Sequence, residues 1–298
     1  MIRVRVPATS ANLGPGFDVI GMALSIFNEV SVDESSKNFE IEITGEGADK
    51  ISKDKDNLVY LAFCKVFERL GKTAKNIKLI LKNQIPLSRG LGSSSAAIVS
   101  GLVAANAYLG FPLKAEELLQ MAVELEGHPD NVAPALFGGM VLCGLPELRY
   151  VKLPNPELDV VLAIPNFEVK TSEARKILPK EVPFEDVKAN LRSIAFLITS
   201  FYTKKYDLLE IGMQDRLHQP YRSQLIPGFY QVMQAAKEAG ALGVALSGSG
   251  PTVIAFTKLP QTVAQVMQEA FMKVQVKAET LITKPQEKGA LELVEIEK

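Results

Sequence analysis

The sequence has no tryptophan and only two cysteines and two histidines. Cys64 and Cys143 stand in apolar stretches, and neither has a second cysteine or a histidine at the spacing of metal ligands. The pattern therefore predicts neither a disulfide framework nor a zinc site. We expect both cysteines to be buried, reduced thiols in a cytoplasmic protein.

An excess of charge of either sign is also missing. Lys and Arg number 33 against 34 Asp and Glu, which gives a net charge of -1. Proteins that bind nucleic acids or anionic lipids usually carry a basic surface. The balance therefore argues against nucleic acid, including RNA, and against membrane as partners.

Long apolar segments with the features of a membrane span or a signal peptide are not evident. The N-terminus, Met-Ile-Arg-Val-Arg-Val, has no apolar signal core, so export is not expected. The run from Gly90 to Leu113 carries no charge and has the length of a membrane span. Its Gly, Ser, Asn and Pro content, with a helix break at Gly110, instead predicts a helix in the protein core.

The length of 298 residues predicts about two domains of about 150 residues each. Three prolines between residues 146 and 156 mark the junction. We therefore place one domain at residues 1–150 and a second at 151–298.

Hydrophobic periodicity predicts mixed secondary structure. Alternation predicts strands at 2–6, ended by Pro7, at 28–33, at 39–44 and around 77–81, and buried runs predict strands at 138–143 and 159–164. The helical spacing predicts a helix at 57–70 and a second at 113–126 with Leu118, Leu119, Ala122 and Leu125 inward. Further helices are predicted at about 185–202, 204–218, up to Gly240 and at 261–274, with a strand, turn and strand at 242–256.

The segment from Pro86 to Ala97 is rich in glycine and serine and leads into an alanine-rich helix. Glycines permit close approach of the backbone, and the first N–H groups of a helix attract anions. The segment fits a phosphate-binding loop, but also an ordinary turn with a serine N-cap. It is neither a Walker P-loop nor a Rossmann fingerprint, since no lysine follows Gly92 and a third glycine is missing.

Two other polar turns carry candidate ligand-binding residues. Asn12 and Asp18 lie in a turn with Gly14, Pro15 and Gly16, where they either meet a ligand or satisfy the turn's own N–H groups. Prolines also fix the backbone of residues 127–135, which follow Glu124. A carboxylate at that helix end suits Mg²⁺. Glu126, two residues on, is interpreted as a solvated helix-end charge.

Three motifs in a fixed order, residues 7–18, 86–97 and 246–252, resemble those of the GHMP small-molecule kinases, the relatives of galactokinase, homoserine kinase, mevalonate kinase and phosphomevalonate kinase. Within that superfamily the first motif, His128-Pro-Asp-Asn-Val-Ala-Pro134 and His218-Gln-Pro-Tyr-Arg222 resemble the homoserine kinase family. The resemblance covers essentially the whole chain.

The resemblance implies a two-domain α+β fold, with an N-terminal domain like the second domain of ribosomal protein S5, a C-terminal ferredoxin-like domain and the active site between them. It implies a phosphotransferase that uses ATP and Mg²⁺ to phosphorylate the side-chain hydroxyl of L-homoserine in threonine biosynthesis. It also implies a homodimer.

The resemblance also implies roles for individual residues. The phosphates of ATP would be bound by Pro86, Leu87, Ser88, Arg89, Gly90, Leu91, Gly92, Ser93, Ser94, Ser95 and Ala96, and Mg²⁺ by Glu124 and Ser94. The amino acid would be bound by Asn12, Asp18, His128, Thr171, Arg175 and Arg222. Two arginines suit a carboxylate and Asp18 suits an ammonium group.

The catalytic base is left open. Asp130 and Asn131 stand near the position where several relatives have a base, and the resemblance implies that the phosphate itself takes the proton in homoserine kinases. We list both residues as catalytic, with Asn131 positioning the hydroxyl. The alternatives are a GHMP kinase for mevalonate, a sugar or a cytidyl-terpenoid alcohol, and a non-catalytic relative that binds ATP.

Overall fold

The computed structural model describes residues 1–33 and 38–297, whose strands form two sheets. The strands are β1 (Ile2–Asn12), β2 (Gly16–Asp33), β3 (Glu40–Gly45), β4 (Lys78–Asn83), β5 (Met140–Gly144), β6 (Arg149–Leu153), β7 (Asp159–Pro165), β8 (Ala241–Leu246), β9 (Val253–Thr257), β10 (Ala278–Thr283) and β11 (Val294–Ile296). The first sheet has the order β11-β1-β2-β4-β3, with β5 paired to β2 and β6 to β5. The second has the order β10-β7-β9-β8.

Helices pack on both sheets. They are α1 (Leu58–Arg69), α2 (Ser93–Tyr108), α3 (Ala115–Glu126), α4 (Pro129–Phe137), α5 (Thr171–Lys176), α6 (Phe184–Thr203), α7 (Leu209–Gly212), α8 (Gln219–Arg222), α9 (Phe229–Glu238) and α10 (Pro260–Lys273). The uncharged run forms α2, which is buried almost all round, as predicted. Among the described residues no helix has the length and apolar character needed to cross a membrane.

Pro7 does not end the first strand, contrary to the prediction. β1 continues to Asn12, and its pairing with β2 shifts register between Pro7 and Ala8. A bulge accommodates a proline because the missing N–H then removes no regular ladder bond. As a result, Asn12 ends one strand and Asp18 lies near the start of the next, so both are held by the sheet.

Three other expectations need correction. Leu125 is exposed, whereas the other three inward positions of α3 are buried. The predicted helix at 204–218 is a short 3₁₀ turn, Tyr206–Leu208, followed by α7. Cys143 is buried, and burial raises the pKa of its thiol to about 12, but Cys64 is only half-buried.

The predicted domain boundary at residue 150 falls inside β6. This strand pairs with β5 and so extends the first sheet to Leu153. At the other end of the chain, β11 returns to pair with β1. The division into residues 1–150 and 151–298 stays a prediction, although the two sheets follow it approximately.

Gly101 allows the close crossing of α1 and α2. A Cβ at this position would lie 2.2 Å from the carbonyl oxygen of Val59 and 2.9 Å from Cβ of Ala62. Gly101→Ala is therefore expected to lower the free energy of unfolding by about 1–3 kcal/mol, because overpacking a core contact outweighs the gain in helix propensity.

Urea unfolding measures this change, with Gly144→Ala as the control, since a Cβ at Gly144 meets nothing within 4 Å. Equal midpoints for the two variants would contradict the prediction.

Candidate active site

A cavity of about 320 Å³ lies where the ends of β1 and β2, the N-termini of α2 and α4, and the turn between β8 and β9 meet. Every residue predicted for the amino acid and the hydroxyl lines it: Asn12, Asp18, His128, Asp130, Asn131, Thr171, Arg175 and Arg222. Residues 87–95 of the predicted phosphate loop line it as well, whereas Pro86 and Ala96 do not. The chain thus gathers these distant motifs around one space.

Two glycines of the loop permit backbone contacts that any residue with a Cβ would block. Gly90 and Gly92 have φ values of +73° and +68°, in the left-handed region. A Cβ on Gly92 would lie 1.9 Å from Oγ1 of Thr9, and one on Gly90 would lie 2.2 Å from the carbonyl oxygen of Ser247. The loop is therefore pressed between β1 and the turn after β8.

These contacts leave three amides of α2 without an acceptor in residues 1–33 and 38–297. In a continuing helix, the N–H groups of residues 93, 94 and 95 would bond to the carbonyls of residues 89, 90 and 91. Those carbonyls instead accept hydrogen bonds from the N–H of Thr252, the hydroxyl of Ser247 and the N–H of Thr9, at 3.4, 2.6 and 3.1 Å.

The three serine amides consequently have no acceptor among the residues that the structure describes. The N-cap of α2 is Gly92, and no side chain caps the helix. Free amides at the positive end of a helix that line a cavity favour an anion site over a self-capped turn.

Glu126 lies beside the serines. The hydroxyls of Ser94 and Ser95 donate to its two carboxylate oxygens at 3.0 and 2.7 Å, and Glu126 lines the cavity. The interpretation of Glu126 as a solvated helix-end charge is therefore wrong. Glu124 is exposed, does not line the cavity and accepts a hydrogen bond from Gln120.

The helical period explains the difference. Residues two apart on a helix point about 200° away from each other. Glu126 lies four residues after the buried Ala122 and so continues the inward stripe of α3, whereas Glu124 lies on the opposite side. This spacing was the signal in the sequence that could have identified Glu126.

No three His, Cys, Asp or Glu side chains in residues 1–33 and 38–297 are grouped so that they could hold a metal ion. One carboxylate with adjacent hydroxyls still suits Mg²⁺, which takes one or two carboxylates and completes its shell with phosphate oxygens and water. Glu126 with Ser94 provides such a donor set, directly beside the free amides.

Asp18 and Arg175 form a forked ion pair inside the cavity. Nη1 and Nη2 of Arg175 donate to the two carboxylate oxygens of Asp18 at 3.0 and 2.8 Å. This contact raises the pKa of Arg175. The side chains of Arg175 and Asp18 are 38% and 35% exposed, so a ligand can reach both.

Arg222 is almost completely buried beside this pair. Burial lowers its pKa to about 10, and the nearby charge of Arg175 acts in the same direction. The guanidinium carbons of Arg222 and Arg175 lie 5.0 and 5.7 Å from the centre of the Phe17 ring, so the two cations share one aromatic side chain. Phe17 was not singled out from the sequence.

Asn12 serves the structure of the turn. Its side-chain oxygen accepts the N–H of Asp18 at 3.1 Å, and its Nδ2 donates to the carbonyl of Gly248 at 3.1 Å. The alternative that such residues satisfy the turn's own N–H groups thus holds for Asn12. The carboxylate of Asp18 instead points to Arg175.

His128, Asp130 and Asn131 form a chain of contacts at the start of α4. Nδ1 of His128 lies 2.5 Å from Oδ1 of the buried Asp130, and Thr9 donates its hydroxyl hydrogen to Oδ1 of Asn131 at 2.8 Å. Burial alone would lower the pKa of His128, but the hydrogen bond and charge of Asp130 outweigh it and raise the pKa above its usual value.

Asp130→Asn is accordingly expected to lower the pKa of His128, because burial then acts without the carboxylate. The chain has only two histidines, so proton NMR can follow each ring separately. Below the ordinary histidine pKa the pair contributes its full stability, which is lost as the pH rises through the raised value. A pKa of His128 that does not move in the variant would contradict this account.

The other end of the cavity was missed by the sequence analysis. It is lined by apolar side chains and three asparagines from β2, β4, α1 and the segment that precedes α1: Val30, Ile51, Leu58, Val59, Leu81, Asn28, Asn57 and Asn83. Asn28 accepts two backbone N–H groups and Asn57 caps α1. Nothing in their local sequence distinguishes these residues from ordinary capping and turn residues.

The family models and relatives agree with the geometry. Residues 57–139 match the model of the GHMP kinases N terminal domain, and residues 197–272 match the GHMP kinases C terminal model. Homoserine kinase of Carboxydothermus hydrogenoformans is 60% identical over 296 residues, covering 99% of this chain and 97% of the relative. That of Moorella thermoacetica is 48% identical over 97% of this chain and 98% of the relative.

Solved structures give the same result and confirm the two-domain α+β fold. The crystal structure of homoserine kinase from Cytophaga hutchinsonii has a TM-score of 0.86 at 34% identity and covers 97% of this chain and 96% of that one. Mevalonate kinase of L. major, solved with R-mevalonate, shares the fold with a TM-score of 0.73 at 14% identity over 97% of each chain. The chain belongs to the homoserine kinase family of the GHMP kinases.

Proposed function

We propose that the protein transfers the γ-phosphoryl group of ATP to the side-chain hydroxyl of L-homoserine, forming O-phospho-L-homoserine for threonine biosynthesis. One observation carries the proposal: a single cavity joins the free amides of α2 to a carboxylate and two arginines suited to a small zwitterion. The names of the relatives support the same substrate.

The nucleotide would bind along the loop and the apolar end of the cavity. The amides of Ser93, Ser94 and Ser95 would donate to phosphate oxygens, and the apolar end of the cavity would bind the nucleobase of ATP. Glu126 and Ser94 would hold Mg²⁺, which neutralises phosphate charge when bound. We prefer Glu126 to Glu124 here, since Glu124 does not reach the serines.

The amino acid would replace the contacts between Asp18 and Arg175 with contacts of its own. Its carboxylate would accept hydrogen bonds from Arg175 and from Nη2 of Arg222, while its ammonium would donate to the oxygens of Asp18. His128 and Thr171 also line this end. Two arginines and one carboxylate suit an amino acid better than the uncharged hydroxyls of a sugar, which is why we rank homoserine first.

Asn131 would position the accepting hydroxyl, and Thr9 fixes its amide by donating to Oδ1. Asp130 is already engaged by His128, so we assign no base and let the transferred phosphoryl group take the proton. Near-normal turnover by Asp130→Asn would support this assignment, and complete loss of turnover in a folded variant would make Asp130 the base.

The deciding measurement is ADP release with Mg-ATP across L-homoserine, mevalonate, galactose and a cytidyl-terpenoid alcohol. Turnover with L-homoserine alone supports the proposal. Turnover only with another alcohol leaves a GHMP kinase of different specificity, and binding of ATP without any turnover indicates a non-catalytic relative. A homodimer in the cytoplasm stays a prediction, which light scattering and cell fractionation would test.

A further inference from the structure

His218 is a buried histidine that does not line the cavity, yet it contacts Arg222, which does. Nε2 of His218 lies 2.8 Å from the carbonyl oxygen of Gly14. Because a carbonyl only accepts, Nε2 carries the hydrogen. In the neutral ring Nδ1 then has a lone pair, and Nη1 of Arg222 lies 3.5 Å from it.

Arg222 is held by groups from three places in the fold. Its Nε donates to the carbonyl of Ala174 in α5 at 3.2 Å, and its Nη1 donates to the carbonyl of Gly248 at 3.0 Å as well as facing His218. Its Nη2 has no acceptor in the described part of the chain. The contacts therefore leave Nη2 as the donor that can meet a ligand.

The surroundings of His218 favour the neutral ring. Burial lowers its pKa, and the positive charge of Arg222 opposes protonation, while Asp215 and Asp18 act in the other direction. Phe17 stacks on the imidazole with ring centres 5.1 Å apart, and the same Phe17 ring lies beneath Arg222. The ring is thus fixed in the plane that presents Nδ1 to Arg222.

We propose that His218 is a positioning residue for substrate binding, which orients the guanidinium of Arg222 through Nδ1 while Gly14 fixes its tautomer through Nε2. The inference rests on the proposed function, since it takes the substrate carboxylate as the ligand of Arg222. His218 would then determine the affinity for the substrate without lining the cavity. A histidine that merely fills the core would affect stability alone.

Two substitutions distinguish the contact of Nδ1 from the contact of Nε2. His218→Gln places an amide N–H near the position of Nε2, so it keeps the donor to Gly14 and loses the acceptor for Arg222. His218→Asn places an amide oxygen near the position of Nδ1, so it keeps that acceptor and loses the donor. Each variant removes one contact and serves as the control for the other.

His218→Gln is expected to raise KM for L-homoserine about five- to tenfold, the effect of losing one buried hydrogen bond, with KM for ATP unchanged. His218→Asn is expected to keep KM within about twofold of wild type and to unfold at a lower temperature. In an Arg222→Lys background, His218→Gln should add no further increase in KM, because the partner is already gone.

The inference is overturned if both variants lower the unfolding temperature while KM for L-homoserine stays at the wild-type value. It is equally overturned if His218→Gln raises KM by the same factor in the Arg222→Lys background. A wild-type protein that does not phosphorylate L-homoserine refutes the proposed function and this inference together. Turnover of L-homoserine by the wild type, with the same KM in His218→Gln, refutes this inference alone.

Discussion

Glu126→Gln is expected to lower kcat with L-homoserine by about 100-fold or more, whereas Glu124→Gln is expected to stay within about twofold of wild type. The reason is position. Glu126 accepts hydrogen bonds from two serines at the free end of α2, while Glu124 is exposed and contacts Gln120. Removing one preorganised group that stabilises developing charge in a transition state costs about two to three orders of magnitude in kcat, and we expect a loss of the same order for a carboxylate that would hold Mg²⁺.

The substitution is conservative for the fold. A glutamine side chain has the same length, and its carbonyl oxygen still accepts from Ser94 or Ser95. What it loses is the negative charge that would hold Mg²⁺. The unfolding midpoint is therefore expected to stay near that of the wild type, which separates loss of charge from loss of structure.

Steady-state kinetics over a range of Mg²⁺ concentrations checks the prediction, and calorimetric titration with Mg-ATP gives an independent measure of binding. We expect Glu126→Gln to need more Mg²⁺ and to bind Mg-ATP more weakly. If kcat falls in Glu124→Gln and stays at the wild-type value in Glu126→Gln, Glu124 is the Mg²⁺ ligand, as the sequence predicted, and the assignment of Glu126 is wrong.

The two glutamates illustrate what sequence alone could decide about the site. It identified the end of α3 as the place for a carboxylate, because a polar turn follows the helix there. It could not choose between Glu124 and Glu126 by proximity to the turn. The choice depends on which face of α3 packs against α2, and the buried positions Leu118 and Ala122 carried that information at a spacing of four.

The fold shows the same division between local and distant effects. Local spacing predicted a helix at 57–70, where the structure has α1 with Asn57 as its N-cap, and local composition predicted the buried character of α2. Pro7 was misjudged because a bulge opposite β2 removes its usual penalty, and that depends on pairing with a distant strand. The return of β11 to β1 likewise has no local signal.

The forked pair of Asp18 and Arg175 predicts that the site demands both charges of an amino acid. Each partner satisfies the other when no ligand is present, so a ligand must replace both contacts at once. 4-Hydroxybutyrate, without the ammonium group, would leave Asp18 unpaired. 3-Aminopropan-1-ol, without the carboxylate, would leave Arg175 and Arg222 unpaired.

We expect kcat/KM for each analogue to fall about 1,000-fold or more below that for L-homoserine. Fully buried polar sites reject analogues lacking a partner group by about 10,000-fold, and the partial exposure of Asp18 and Arg175 reduces that figure. Asp18→Asn should lower the ratio of kcat/KM for L-homoserine to kcat/KM for 4-hydroxybutyrate. The main cause is a lower kcat/KM for L-homoserine, because the amide no longer attracts an ammonium group.

Asp186→Asn provides the control, because Asp186 pairs with Arg216 on the surface and neither residue lines the cavity. Asp186→Asn is expected to leave the ratio of kcat/KM for L-homoserine to kcat/KM for 4-hydroxybutyrate at the wild-type value. An Asp18→Asn enzyme with that same ratio would mean that the ammonium group is recognised elsewhere. In that case Asp18 would serve only to orient Arg175, and the specificity for a zwitterion would need another source.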